Sequence, residues 1–436
     1  MKKRLVTLFL LGLVVLTAAC QPKPKEKSQL TIWYWGEQEA PGYKNYMESM
    51  VKKYEEKNPD VKVNAVLQES DTMYTAFRTA EHAGAGPDIQ YLWGGTQALE
   101  DVWLGNCTPL DDLIPAEVFA DIPESSLKET NWDGKQWGIP AYQFAYGITY
   151  NKEDMKAIGV DPEIPFTTWD EFLDVSQKLK DNGKTPIGFG IKDGWLPAWI
   201  GIFFGQQNLD SVNDEIALMR GDKSFSDPKY NEWLYKLEEL KDKGFINEDI
   251  LSLDFYQGQQ LLESNGASMT LHAQTYAASL EKSLGKDKIG FIKAPIFGTG
   301  KLADSIAVPS QVYVIPKSAK NKEEAAKFLI FLREKENMKA LYDMANAMLP
   351  SKSFDSSWLS TEVDLTVANW LNKYENFCYQ LYFAPMFEAE GLAPIIQKMF
   401  SEDLSPADAS VELDEALKKT IEQNPEINEA FRKWNN

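Results

Sequence analysis

The sequence predicts an α/β protein whose sheets are parallel and covered by helices on both faces. Three observations carry this: strand-like runs alternate with amphipathic helices through residues 30–95, the first and third runs read as buried strands, and the roughly 416 residues after the start of the chain exceed one typical domain, which suggests two or three.

Taken in order, LTIWYWGE opens with a buried-strand run from Leu30 to Trp35 that stops at Gly36. Tyr43, Tyr46, Met47, Met50, Val51 and Tyr54 then share one helical face, which Asn58-Pro59 ends. VKVNAVL is the second strand, with Val61, Val63, Ala65 and Leu67 alternating, and Asp71 can cap a helix carrying Met73, Ala76, Phe77 and Ala80. GAGPDIQYLWGG supplies a turn and a third strand, Ile89 to Leu92. Ligands of such sheets bind in the crevice at the carboxyl ends of the strands. The first and third strands end alike, at Trp35-Gly36-Glu37 and Trp93-Gly94-Gly95, so a large aromatic meets glycine at both crevice positions. The competing reading is that Trp35 and Trp93 simply cover the end of the core.

Residues 131–151, NWDGKQWGIPAYQFAYGITYN, crowd Trp132, Trp137, Tyr142, Phe144, Tyr146 and Tyr150 among glycine and proline. Aromatic faces beside Asp133, Gln136, Gln143 and Asn151 offer what a polyhydroxylated ligand needs, flat apolar surface and in-plane hydrogen-bonding groups. A core hairpin with buried aromatics fits the same residues equally well.

The start of the chain reads as a processing signal covering 1–19. Lys2, Lys3 and Arg4 precede an apolar run, Leu5 to Leu16, that is short for a bilayer span. Thr17, Ala18 and Ala19 then precede Cys20, an order that resembles the bacterial lipobox and marks Cys20 for lipidation, although Thr17 stands where leucine is commonest. Residues 20–29 form a Pro/Lys tether. A formal charge of -20, or -23 once Lys2, Lys3 and Arg4 are gone, argues against a nucleic-acid partner. Cys107 and Cys378 either pair or stay buried and free, and no Cys/His spacing suits a metal.

Further on, Thr168 and Glu171 form a capping box for a helix that turns Trp169, Phe172, Val175 and Leu179 inward. KDGWLPAWIGIFF places Trp195 and Trp199 on one helical face. GASMTLHAQTYAAS runs from strand to helix and brings His272, Gln274 and Tyr276 to another strand end. Without a serine, cysteine or carboxylate at working spacing, His272 reads as a hydrogen-bonding group rather than a base. ADSIAVPSQVYVIP carries Ser310, Gln311 and Tyr313 back toward the crevice. Helices over 322–334 and 336–345 have core patterns, and the C-terminal run holds many aromatics, of which Trp370, Tyr379 and Tyr382 are weaker site candidates.

The lipoprotein start, LTIWYWGE, GAGPDI, CTPLDDL, YNKEDMKAIGV, PFTTWDEF, NGASMTLHAQ and IPKSAKNKEEAAKFLIFL together resemble the extracellular solute-binding proteins of ABC sugar importers, the group that includes maltose-binding protein. The resemblance implies a two-lobed, periplasmic-binding-protein-like fold, each lobe a mainly parallel sheet flanked by helices, joined by a multi-segment hinge. Lobe 1 would comprise 30–141 and 311–348 and lobe 2 142–303 and 350–436, with crossings near 141–146, 303–311 and 347–352. It also implies a monomer, lipid-anchored outside the cell membrane, that delivers an oligosaccharide to permease subunits without catalysis, cofactor or metal. The expected ligand-binding residues are Trp35, Glu37, Trp93, Gly94, Gln97, Trp137, Tyr142, Gln143, Trp195, His272, Gln274, Gln311 and Tyr382. Two other classes stay open: a secreted glycoside hydrolase using carboxylates such as Asp88 or Glu37, and a binder of a charged solute, which would need Arg/Lys or carboxylate groups in the cleft.

Overall fold

A computed structural model describes residues 28–193 and 197–434. The strands are β1 (Ser28–Tyr34), β2 (Val61–Leu67), β3 (Ile89–Trp93), β4 (Cys107–Thr108), β5 (Asn131–Trp132), β6 (Lys135–Gln136), β7 (Gly138–Gln143), β8 (Tyr146–Asn151), β9 (Met269–Ala273), β10 (Ile289–Ile292) and β11 (Ser310–Pro316). A six-stranded sheet has the order β2-β1-β3-β11, with β7 and β4 pairing along the free side of β11, and a three-stranded sheet has the order β10-β8-β9. Two separate sheets built from interleaved chain segments, each flanked by helices, make an α/β molecule of two lobes.

Strand direction departs from the expectation of mainly parallel sheets. β1 runs parallel to β2 and β3, but β11 is antiparallel to both β3 and β7. In the smaller sheet β8 is antiparallel to β9 and to β10, and isolated bridges from Ile187 to Met269 and Ile246 supply the parallel pairing. The cause is connectivity. A parallel neighbour needs a crossover back to the same end, whereas β8 and β11 are entered directly from the other lobe.

The chain passes between the sheets from β7 to β8, from β10 to β11, and after helix Lys335–Ala345, where Gln143 bridges Met348. Helix Glu362–Lys373 then packs on helix Gln274–Leu284 and β10. Local chemistry fixes the helix starts near the site. The turn after β1 needs Gly36 at φ 133°, because a Cβ there would lie 2.8 Å from the Tyr142 hydroxyl. Thr168 and Glu171 make the capping box at Trp169–Asp181. Cys107 and Cys378 are both buried and free.

Candidate ligand-binding cleft

A cavity of about 420 Å³ lies between the lobes, a size suited to a small ligand. Trp35 and Trp93 enter it from the carboxyl ends of β1 and β3, joined by Tyr74 and Arg78 from helix Ser70–His82 and Gln97 from helix Thr96–Trp103. The facing wall carries Tyr146 at the start of β8, His272 in β9, Phe255 and Tyr256 opening helix Phe255–Glu263, and Gln380 and Glu388.

The aromatic groups brace one another. Trp93 stacks on Tyr74 with ring centroids 5.3 Å apart and meets Trp35 edge-on at 5.5 Å. The Trp93 amide donates to the Tyr74 hydroxyl at 3.1 Å, which locks the ring pair to the strand end. Arg78 lies over the Tyr74 ring and donates to Asp101 through two bonds of 3.0 and 3.1 Å, with Glu100 at 3.4 Å. Its charge is therefore matched within the wall. Opposite, His272 stacks on Phe255 at 4.9 Å, and burial holds its pKa down at about 3, so the imidazole is neutral at pH 7.

Two buried acids face this space. Glu39 accepts from the Tyr142 hydroxyl at 2.9 Å; burial pushes its pKa up to about 8, against the lowering effect of Tyr142 and Gln311. Glu388 accepts from Gln97 at 2.8 Å and Gln380 at 2.7 Å, and burial pushes it up to about 7. The Gln97–Glu388 bond joins helix Thr96–Trp103 to the C-terminal part of the chain across the cavity. So do the bonds from the Thr96 hydroxyl to the carbonyls of Leu381, at 3.1 Å, and Phe383, while the Thr275 hydroxyl reaches the Glu39 carbonyl. The lobes are closed on each other.

Of the residues singled out from sequence, Trp35, Trp93, Gln97 and His272 line the cavity. Others stand outside its lining because their groups are used elsewhere. Glu37 accepts from the amides of Gly42 and Lys44 and so ties down the first turn of helix Tyr43–Lys57. The Trp137 indole donates to the Trp132 carbonyl at 3.0 Å in the hairpin β5-β6 region. Tyr142 is buried behind Glu39, bonded also to Tyr91 at 3.0 Å. Gly94 packs where a Cβ would come within 2.5 Å of the Ser310 carbonyl and the Glu129 carboxyl. The backbone N–H of Gln143 donates to the Met348 carbonyl, and the Gln274 side chain donates to the Asn346 carbonyl and Asp364, both where the chain passes between lobes. Gln311 is buried opposite Trp93 in the sheet, and Tyr382 is stacked between Phe377 and Trp434. Of the aromatic stretch 131–151, only Tyr146 lines the cavity. Trp370 is buried against Phe291. Trp195 and Cys20, with the signal and tether, lie outside the described residues, as do the side chains of Trp199 and Tyr379.

Sequence reasoning missed both acids and the Tyr74–Arg78 pair. The pair stands four residues apart on the face of its helix that Phe77 leaves free, a legible spacing; Glu39 and Glu388 carry no local signal. The proposed hydrolase carboxylates are engaged structurally: Asp88 accepts from the amides of Thr31, Lys320 and Asn321. No group of three or more residues able to hold a metal occurs among the described residues.

Two lobes shut over an aromatic cavity, with hydrogen bonds across the gap, define a clamp-type binding protein. The chain belongs to the bacterial extracellular solute-binding protein family, whose model matches residues 37–339. It is 23% identical over 378 residues to an uncharacterised ABC transporter extracellular-binding protein of Pyrococcus horikoshii, covering 80% of this chain and 81% of that one. A multiple sugar-binding protein of Streptococcus mutans is 22% identical over 356 residues, covering 78% and 81%. Among solved structures, one named chitin oligosaccharide binding protein superposes with a TM-score of 0.79 at 21% identity, over 90% of this chain and 99% of that one.

Proposed function

We propose that the chain captures an oligosaccharide between its lobes and delivers it, unaltered, to the permease subunits of an ABC importer. The observation that supports this best is the cavity wall itself: Trp35, Trp93 and Tyr74 on one side and Tyr146 and Tyr256 on the other offer ring faces, while Gln97, Gln380 and the two acids offer in-plane bonding groups. The multiple sugar-binding relative supports the same ligand class. Micromolar capture needs about 8 kcal/mol, and two or three stacked rings with roughly six hydrogen bonds supply that after ordering costs. Ligand touching both walls favours the shut form, so bound and free molecules present different surfaces to the importer.

We divide the chain as 30–141 with 311–348 and 142–303 with 350–436, which fits the membership of β1–β4, β7 and β11 in one sheet and β8–β10 in the other. We assign the working form as a monomer tethered outside the membrane through a lipid on Cys20. Cys20→Ala should release it into the medium, and retention at the membrane would remove the anchor.

The hydrolase reading is disfavoured by chemistry. The carboxylates that reading needs are engaged structurally, Glu37 by the amides of Gly42 and Lys44 and Asp88 by those of Thr31, Lys320 and Asn321. A thermal-shift screen over α- and β-linked oligosaccharides tests the proposal, because a ligand selective for the folded form raises the melting temperature. A hit recovered without new reducing ends is expected; turnover, or no shift with any sugar, overturns it.

A further inference from the structure

The ionisable groups on this cavity wall are acids without a cation, a cation already matched, or a neutral imidazole. Glu39 and Glu388 are 3% and 5% exposed. Glu39 accepts from a tyrosine hydroxyl, and Glu388 from two amides. Arg78, the cation of the described wall, is held by Asp101 and Glu100. His272, buried and neutral, offers no charge. Trp35, Tyr74, Trp93, Tyr146 and Tyr256 line the same cavity as the two acids, and aromatic faces attract cations.

A neutral sugar needs only donors and acceptors, and amides would serve it at less desolvation cost than two buried carboxyls without a cation. A positive ligand removes that cost for both acids at once, and only when the lobes are shut, since the acids come from opposite walls. We propose that the cleft selects a carbohydrate bearing a protonated amine, an amino sugar, with Glu39 and Glu388 as the specificity-determining residues that pair with it. This rests on the reading of the cleft as a sugar site.

The test is calorimetric titration at pH 7.5 with glucosamine, galactosamine and β-1,4-linked glucosamine oligomers, each against its N-acetylated and its plain hexose counterpart. Amine-bearing members should bind at least about tenfold tighter than their neutral counterparts, with the preference shrinking as salt rises. Glu39→Gln or Glu388→Gln should reduce that preference to about threefold or less, the amine-bearing series losing more affinity than the neutral one. Two sites are tested so that a folding failure in one variant leaves the other, and thermal melts verify each. Equal or tighter binding of the neutral counterparts overturns the amine selection and leaves the sugar reading standing. Absence of binding in every series overturns the amine selection, and the wider linkage screen then decides the sugar reading separately.

Discussion

Trp93→Ala, with Trp137→Ala as its comparison, separates a cleft indole from an indole of similar sequence context. Trp93 lines the cavity and is braced on Tyr74 at 5.3 Å and Trp35 at 5.5 Å, while Trp137 is held by the Trp132 carbonyl outside it. An indole face covering one sugar ring removes about 60 Å² of apolar surface from water, worth roughly 1.5 kcal/mol. Stacking geometry adds about 1 kcal/mol. Removing Trp93 should therefore weaken binding by about 2.5 kcal/mol, or roughly 70-fold in Kd, whereas Trp137→Ala should change Kd less than about twofold. Calorimetric titration with a sugar from the screen reads this directly. Melts of the unliganded variants check the fold, which Trp93→Ala should lower by about 1 to 2 kcal/mol through lost ring contacts. Loss of binding in Trp137→Ala with normal binding in Trp93→Ala would refute the placement of the site between β1 and β3.

Stability should depend on pH with a definite sign. Glu39 and Glu388 have folded-state pKa values raised to about 8 and about 7, so their contribution is whole below about 4.5 and is lost as pH rises through 7 to 8. The unliganded melting temperature should fall between pH 6 and 9, by an amount equivalent to roughly 2 to 4 kcal/mol, and flatten in the Glu39→Gln, Glu388→Gln double variant; an unchanged slope there contradicts the assignment. Gly95→Ala should hinder closure, because Gly95 has φ 65° and an added Cβ would lie 2.3 Å from the Leu381 carbonyl. Small-angle scattering with ligand should then show an expanded molecule, and a compact one counts against the contact. Gln274→Ala leaves Asp364 and the Asn346 carbonyl short of a donor and should cost about 1 to 3 kcal/mol in urea unfolding, with ligand affinity unchanged.

The fold was legible where its causes are local. Apolar runs at 30–35 and 89–92, the Asn58-Pro59 stop and the Thr168–Glu171 box each act within a few residues, and the structure has strands, a helix end and a capped start at those places. Strand direction in the smaller sheet was not legible. β8 pairs with β9 across more than a hundred residues of intervening chain, and nothing near Tyr146 encodes which way its partner runs. The direction follows from entering the lobe through the hinge, a property of the whole path rather than of any segment.

The site divides along the same line. Trp35 and Trp93 could be found because a crevice forms at strand ends whatever the rest of the chain does. Gln274 stands outside the cavity lining because a hinge and a sugar site call for the same side chains. Where strands pass between lobes, backbone groups lose sheet partners, and buried amides make up the bonds: Gln274 with Asn346 is such a case. Composition cannot separate an amide that completes a backbone from one that awaits a ligand. Only its partners can, and these arrive from distant segments. Glu388 is the converse, a carboxyl whose partner Gln97 lies nearly three hundred residues away, so its meaning exists only once the lobes are shut. A contact of that kind couples ligand to closure: any group that competes for Glu388 acts on the bond between lobes as well as on the cavity.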